Sequence, residues 1–288
     1  MKTILVGTDF SERSDRALQR ATRLAQSFNA GILLVNVVDD DQPQRIVDIE
    51  REEAERMLAQ LSATLVKVNK VSCKTNVILA SPFVGLAKAV SEVCPDLLVI
   101  GSHRRQVLKD VFKGTTAERT IRTVACPVLM VNEVAPTSDY QRVLQTTDLS
   151  EGSRDALVHF NTLKIGEQAQ NTLCYIYEVP ALQLAMRHVV PEQNRQQYLL
   201  EAQEAAADKL KAFAGSANLR GIQQIVRHDV STTPQEILEL AQIEQADLIV
   251  MSTHGRTSIT KLFIGSITEQ VLNSARIDIL ALPPAQNR

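Results

Sequence analysis

Apolar residues come in short bursts along this chain. TILVGTD (3–9), GILLVNVV (31–38), DLLVIG (96–101) and PVLMVN (127–132) are too short and too rich in branched residues for helices, and they predict strands. Between them the period changes. Ala17, Leu18, Ala21, Leu24, Ala25 and Phe28 recur at helical spacing, and Ile46, Ile49, Met57, Leu58, Leu61 and Leu65 give a longer helix an apolar side. A third strand near 74–79 and a helix over 83–93 complete the run before the fourth strand. Strands that alternate with helices predict parallel pairing, because a parallel crossover needs a dozen or more residues. Near-continuous apolar strands predict burial on both faces.

The order then repeats. TDFSERSDRAL (8–18) returns as TDLSEGSRDAL (147–157), and DLLVIGSH (96–103) returns as DLIVMSTH (247–254). RVLQTTD (142–148), TLCYIY (172–177), a run near 222–227, DLIVMS and DILALP (278–283) take the strand positions, with a helix over 234–245. The offset between copies is 139 at Asp9 and Asp148 but 151 at Gly114 and Gly265, so the second copy carries 12 extra residues. They fit around ALQLAMRHVVPEQNR (181–195), where an amphipathic helix is predicted over 187–213. The join falls near VAPTSDY (134–140), which places the domains at 1–136 and 137–288. The predicted fold class is α/β: two tandem doubly wound, Rossmann-like domains, each a parallel sheet with helices on both faces. Ligands of such sheets sit beyond the carboxyl ends of the strands, where the strand order reverses. Asp9, Gly101, Asp148 and Ser252 stand at those ends.

Composition narrows the classes. Of 288 residues, 44% are apolar but only 4% aromatic, with no Trp, so the cores must be aliphatic. A net charge of −2 gives no basic face for nucleic acid. No apolar run reaches the roughly 20 residues of a membrane span. MKTILVGTDF turns polar at once and does not read as a signal peptide. Cys73, Cys94, Cys126 and Cys174 show no metal spacing and read as buried, reduced thiols of a cytoplasmic protein. No P-loop of the form G-x-x-x-x-G-K-[ST] and no G-x-S-x-G elbow occurs.

The chemistry concentrates in STHGRTSITKLFIGSIT (252–268), where Gly255 and Gly265 stand nine residues apart and Ser266 follows. Glycine lets a backbone approach an anion closely, and a helix N-terminus offers free N–H groups and a favourable dipole. TDFSE after strand one, LLVNVVD on strand two, and a segment close to G-x-x-G-x9-G-[ST] after strand four together resemble the universal stress protein family. The resemblance covers nearly the whole chain, twice. It implies ATP, with or without Mg2+, as the ligand, and a nucleotide-responsive stress factor with at most slow ATP hydrolysis.

Carried over residue by residue, the resemblance assigns Thr147, Asp148, Ile176, Met251, Ser252, His254, Gly255, Gly265, Ser266, Ile267 and Thr268 to nucleotide in the second copy. The first copy matches with Thr8, Asp9, Val37, Gly101, His103, Arg104, Gly114 and Thr115. Each copy departs from the motif once. Ser252 replaces the first glycine of the second copy, and Arg104 replaces the second glycine of the first. Arg104 puts a long side chain where backbone should meet phosphate, so the second copy is expected to bind and the first to bind weakly or not at all. Plainer roles compete at several positions. Ser266-x-x-Glu269 and Thr115-x-x-Glu118 read as capping boxes, Asp9 and Asp148 as turn residues, and Lys109, Lys113, Arg256 and Lys261 as solvated surface. Two other functions stay open: a nucleotide-free interaction module, and a slow ATPase. The family also implies pairing of last strands, here PVLMVN with DILALP inside one chain as a pseudo-dimer, with a further homodimer open.

Overall fold

The fold is seen in a computed structural model, which describes residues 1–102, 116–132, 138–179, 192–219, 221–253 and 264–283. The first half runs β1 (Thr3–Gly7), α1 (Glu12–Phe28), β2 (Gly31–Val38), α2 (Gln44–Lys67), β3 (Cys73–Leu79), α3 (Pro82–Val93), β4 (Leu97–Gly101), α4 (Thr116–Thr123) and β5 (Val128–Val131). The second half runs β6 (Arg142–Thr147), α5 (Glu151–Leu163), β7 (Gln170–Tyr177), α6 (Glu192–Ser216), β8 (Gln223–His228), α7 (Thr233–Ile243), β9 (Leu248–Ser252), α8 (Ser266–Ser274) and β10 (Asp278–Leu282).

All ten strands form one sheet in the order β3-β2-β1-β4-β5-β10-β9-β6-β7-β8. Each half is parallel within itself, and its order reverses between β1 and β4 or between β6 and β9. The halves meet through β5 and β10, which pair antiparallel with Leu129 opposite Leu280. The sequence expectation that PVLMVN and DILALP pair within the chain is met. Strand alternation sends Ile4 and Val6 to one face and Leu5 to the other. On the first face lie α1, α2, α5 and α6, through Ala21, Leu58, Leu157 and Leu210. On the second lie α3, α4, α7 and α8, through Leu86, Ile121, Ile237 and Val271. The molecule is thus a three-layer α/β/α stack.

Two expectations need correction. Strand one ends at Gly7, and Thr8 and Asp9 belong to the turn after it. Helix α2 buries Val47, Ala54, Leu58 and Leu65, while Ile46 and Ile49 are exposed. The buried spacing follows one seam along the helix. Ile46 and Ile49 lie beside that seam and face solvent. The supposed join at 134–140 and insertion at 181–195 fall largely outside the described residues.

One polar cluster is buried where the halves meet. The Asp278 carboxylate accepts from the Asn132 backbone N–H (3.0 Å), the Tyr140 hydroxyl (2.7 Å) and Arg20 Nε (3.1 Å). Arg20 also donates to the Ser138 carbonyl (2.8 Å) and lies 4.1 Å above the Tyr140 ring. Burial raises the Asp278 carboxyl above its ordinary range, and the three donors offset only part of that. Burial and the charge of Asp278 push the Tyr140 hydroxyl well above its usual value.

Aspartates also brace both halves at the strand starts. Asp96 accepts from the backbone N–H groups of Lys2 and Thr3 (2.6 and 2.9 Å), and its counterpart Asp247 accepts from those of Gln141 and Arg142 (2.7 and 3.1 Å).

Candidate functional site

Each half has a cavity at the carboxyl ends of its strands, on the face covered by α3 and α4 or by α7 and α8. The second cavity holds about 520 Å³ and the first about 240 Å³. Ligand sites commonly span roughly 300–1,000 Å³, so the second falls inside that range and the first below it.

The turn after the first strand is built alike in both halves. In the second, the Thr147 and Ser153 hydroxyls are 2.8 Å apart, and Thr147 accepts from the Leu149 N–H (2.9 Å). Asp148 Oδ1 accepts from the backbone N–H and hydroxyl of Ser150 (3.0 and 2.6 Å). Ser150 in turn caps α5 by accepting from the Ser153 N–H. The first half repeats this with Thr8, Asp9, Ser11 and Ser14. Leu149 and Phe10 take left-handed φ values of 63° and 59°, which bulky residues rarely adopt. The turn role foreseen for both aspartates is therefore real. The bonds from Ser11 and Ser150 fall on Oδ1 of Asp9 and Asp148, and both aspartates line their cavities. Burial alone would raise the Asp9 carboxyl; hydrogen bonds from Ser11 and Ser14, with the Arg13 charge, outweigh it and hold Asp9 below its ordinary value.

The far wall of the second cavity is the start of α8. Gly265 is the N-cap residue and Ser266 the first helical residue, and among the described residues no side chain caps this helix. The expected Ser266-x-x-Glu269 capping box is thus absent. The helix begins one residue earlier than such a box requires, and the Glu269 N–H bonds the Gly265 carbonyl instead (3.0 Å). Ser266 is exposed at the cavity, next to first-turn amides that have no intrahelical acceptor. The Thr268 hydroxyl donates to the Ser252 carbonyl (2.9 Å), which ties the helix start to the end of β9.

The fold does not demand a glycine at 265. Its φ is −60°, and an added Cβ would meet nothing nearer than 3.8 Å. Gly101 differs. A Cβ there would lie 2.7 Å from the Arg13 carbonyl oxygen, so the end of β4 presses against α1. At the equivalent place the second half carries Ser252, and neither residue has a left-handed φ.

Thr147, Asp148, Ile176, Met251, Ser252, Gly265, Ser266, Ile267 and Thr268 all line the second cavity. Thr8, Asp9, Val37 and Gly101 line the first. His254 and Gly255, and His103, Arg104, Gly114 and Thr115, lie outside the described residues, as do Lys109, Lys113, Arg256, Lys261 and with Thr115 the second supposed capping box. Other lining residues escaped the sequence reading: Thr146, Ser153, Cys174, Glu178, Thr233 and Ile237 in the second cavity, and Arg13, Ser14, Pro82 and Leu86 in the first. Ser14 and Ser153 were legible as an invariant of the TDxSExS repeat. The start of α3 and of α7 carries no shared motif, so nothing pointed to it. Behind α7, Arg227 pairs with Glu236 and Glu239, and Glu236 also accepts from Ser231. Burial would raise the Glu236 carboxyl, but Ser231 and Arg227 together lower it.

Among the described residues, no helix is long and apolar enough to cross a membrane, and no cluster of metal-ligating side chains occurs.

Comparison with known proteins gives a consistent result. The sequence model described as "Universal stress protein family" matches residues 1–132 and again 139–283. Universal stress protein E of Escherichia coli K12 is 27% identical over 214 residues, covering 71% of this chain and 66% of that protein. A universal stress protein of Mycobacterium tuberculosis is 23% identical over 292 residues, covering 96% and 95%. The crystal structure of a universal stress protein from Archaeoglobus fulgidus shares the fold with a TM-score of 0.72 at 17% identity, covering 98% of each chain.

Proposed function

This chain belongs to the universal stress protein family, and from that premise we propose that it is a stress-response factor that binds ATP in the cavity of its second half and acts as a nucleotide-responsive regulator rather than a fast enzyme. One observation carries the reading: the second cavity gathers Asp148, Ile176, Ser252 and the uncapped start of α8 around about 520 Å³. The Asp148 carboxylate, which lines the cavity, suits a ribose or base donor. Ile176 and Met251 offer an apolar wall to the purine. The amides of Ser266, Ile267 and Thr268 and the Ser266 hydroxyl would meet the phosphates, and Gly265 leaves room for them to approach. ATP would bring the phosphate charge that orders this wall, and Mg2+ would partly neutralise it. Binding to one of two forms of the protein would shift the equilibrium between them.

A nucleotide-free interaction module is the second reading, and one observation favours it. The described lining of the second cavity brings two carboxylates, Asp148 and Glu178, and no cation. Under either reading we propose a cytoplasmic protein with its halves at 1–136 and 137–288, and a further homodimer as one form of assembly.

The test is to denature the purified protein and identify released nucleotide by chromatography, with its ratio to chain. About one adenine nucleotide per chain, lost in Gly265→Trp, supports the first reading. No nucleotide, together with no heat on titration with Mg-ATP, supports the second. Phosphate release well above the Gly265→Trp control would convert the regulator into a slow ATPase.

A further inference from the structure

The two cavities are built on equivalent positions, yet the first has less than half the volume of the second. Side-chain size at most paired positions predicts the reverse. The second half carries the equal or larger residue at Gly7/Thr146, Val37/Ile176, Ile100/Met251, Gly101/Ser252, Ser102/Thr253 and Ala117/Thr268. Leu86 lies over Gly7, but its counterpart Ile237 is the same size. Val35 against Cys174 is a difference of about one methyl group. Among the described lining positions a single pair runs strongly the other way: Arg13 in the first half stands where the second has Gly152.

Arg13 lines the first cavity and is half-buried there. It is the one cationic side chain in that cavity's described lining. Its backbone is fixed in the first turn of α1, against the end of β4, where Gly101 leaves it just enough room. Its charge acts on Asp9, the residue that corresponds to Asp148. Arg13 thus shares the lining of this cavity with Asp9 and with Thr116 and Ala117 at the start of α4, the positions that match Asp148, Ile267 and Thr268 of the second half.

We propose that Arg13 is the specificity-determining residue that excludes nucleotide from the first half, and that Gly152 keeps the second half open. The proposal rests on ATP binding as read above, and it moves the cause of the asymmetry from Arg104 to Arg13.

The experiment is calorimetric titration of the full chain with Mg-ATP, reading stoichiometry in four proteins. Wild type is expected to bind about one nucleotide per chain, Arg13→Gly about two, Gly152→Arg none, and Arg104→Gly about one. Arg13→Ala serves beside Arg13→Gly, because glycine in a helical first turn weakens the helix, and circular dichroism checks that each variant is folded. If Arg13→Gly and Arg13→Ala are folded and keep the wild-type stoichiometry, Arg13 is not the block and the proposal fails. It also fails if Arg104→Gly alone opens the second site, or if stoichiometry falls from about two to one on removing Arg13, which would make Arg13 a phosphate ligand. Should wild type bind none and Arg13→Gly bind one, the proposal stands while the assignment of ATP to the second half falls.

Discussion

Replacing Asp278 by Asn should be among the most damaging single changes in the molecule. The side chains of Asp278 and Arg20 are only 5% and 9% exposed. The substitution removes a charge that holds Arg20 at 3.1 Å and turns one acceptor oxygen into an amide facing two donors, Tyr140 and Arg20. A buried guanidinium left without its partner costs about 3–5 kcal/mol. Whole-domain stability is about 5–15 kcal/mol, so about a fifth or more would go. The assay is urea unfolding followed by far-ultraviolet circular dichroism, since the chain has no Trp to report by fluorescence. Arg20→Met and the Arg20→Met/Asp278→Asn pair complete a cycle, and the double variant should lose less than the sum of the two singles by about 1–3 kcal/mol. An Asp278→Asn loss within about 0.5 kcal/mol of zero, or strict additivity in the cycle, would refute the idea that this cluster clamps the halves together.

Three further outcomes follow from the same structure. Because Ser266 does not cap α8, Ser266→Ala should change stability by less than about 0.5 kcal/mol, against about 1 kcal/mol for a true cap, while weakening nucleotide binding; thermal melts and calorimetry separate the two effects. Burial pushes the Cys126 and Cys174 thiols up to about 12, so a thiol reagent at pH 8 should label exposed Cys94 first and reach the buried pair only on unfolding; mass mapping reads the order. At Asp96, burial would raise the carboxyl, but the Lys2 and Thr3 amides hold it below its ordinary value; its contribution is therefore present above about pH 3.9 and is lost as pH falls further. Asp96→Asn should destabilise at pH 7 by less than about 1 kcal/mol, given its exposure to solvent, and not at all at pH 2, as urea titrations at the two pH values will show.

The parts of this fold legible in the sequence were those where a local pattern and the tertiary environment agree. Ile4, Leu5 and Val6 are apolar on successive positions because the sheet is covered on both sides. Ala17 to Phe28 keeps one face because α1 lies along the sheet. Ile46 and Ile49 misled because apolar character at helical spacing does not say which of two adjacent seams meets the sheet; Val47 does. The Ser266 box misled for a related reason. Four residues match the capping spacing, but the chain enters the helix one residue early, where Gly265 takes the cap position. The Arg20–Asp278–Tyr140 cluster was invisible because its members lie 138 or more residues from Asp278 in Arg20's and Tyr140's case. No motif records such pairing. Arg13 was read within a repeat whose seven identities drew attention away from its mismatch with Gly152.

The antiparallel seam between β5 and β10 has one more consequence. In a symmetric dimer of separate chains, every residue at such a seam appears twice, and each substitution must suit both copies of the contact. Here the two sides are encoded separately. Asp278 faces Arg20 and Tyr140, whereas the positions that mirror these three are Pro127, His159 and Met1. Covalent linkage also keeps the two sides at a high effective concentration, so the seam forms at any dilution of the protein. Each half is thereby released from copying the other: one side can specialise in holding the pair together while its twin diverges, within a single translated product.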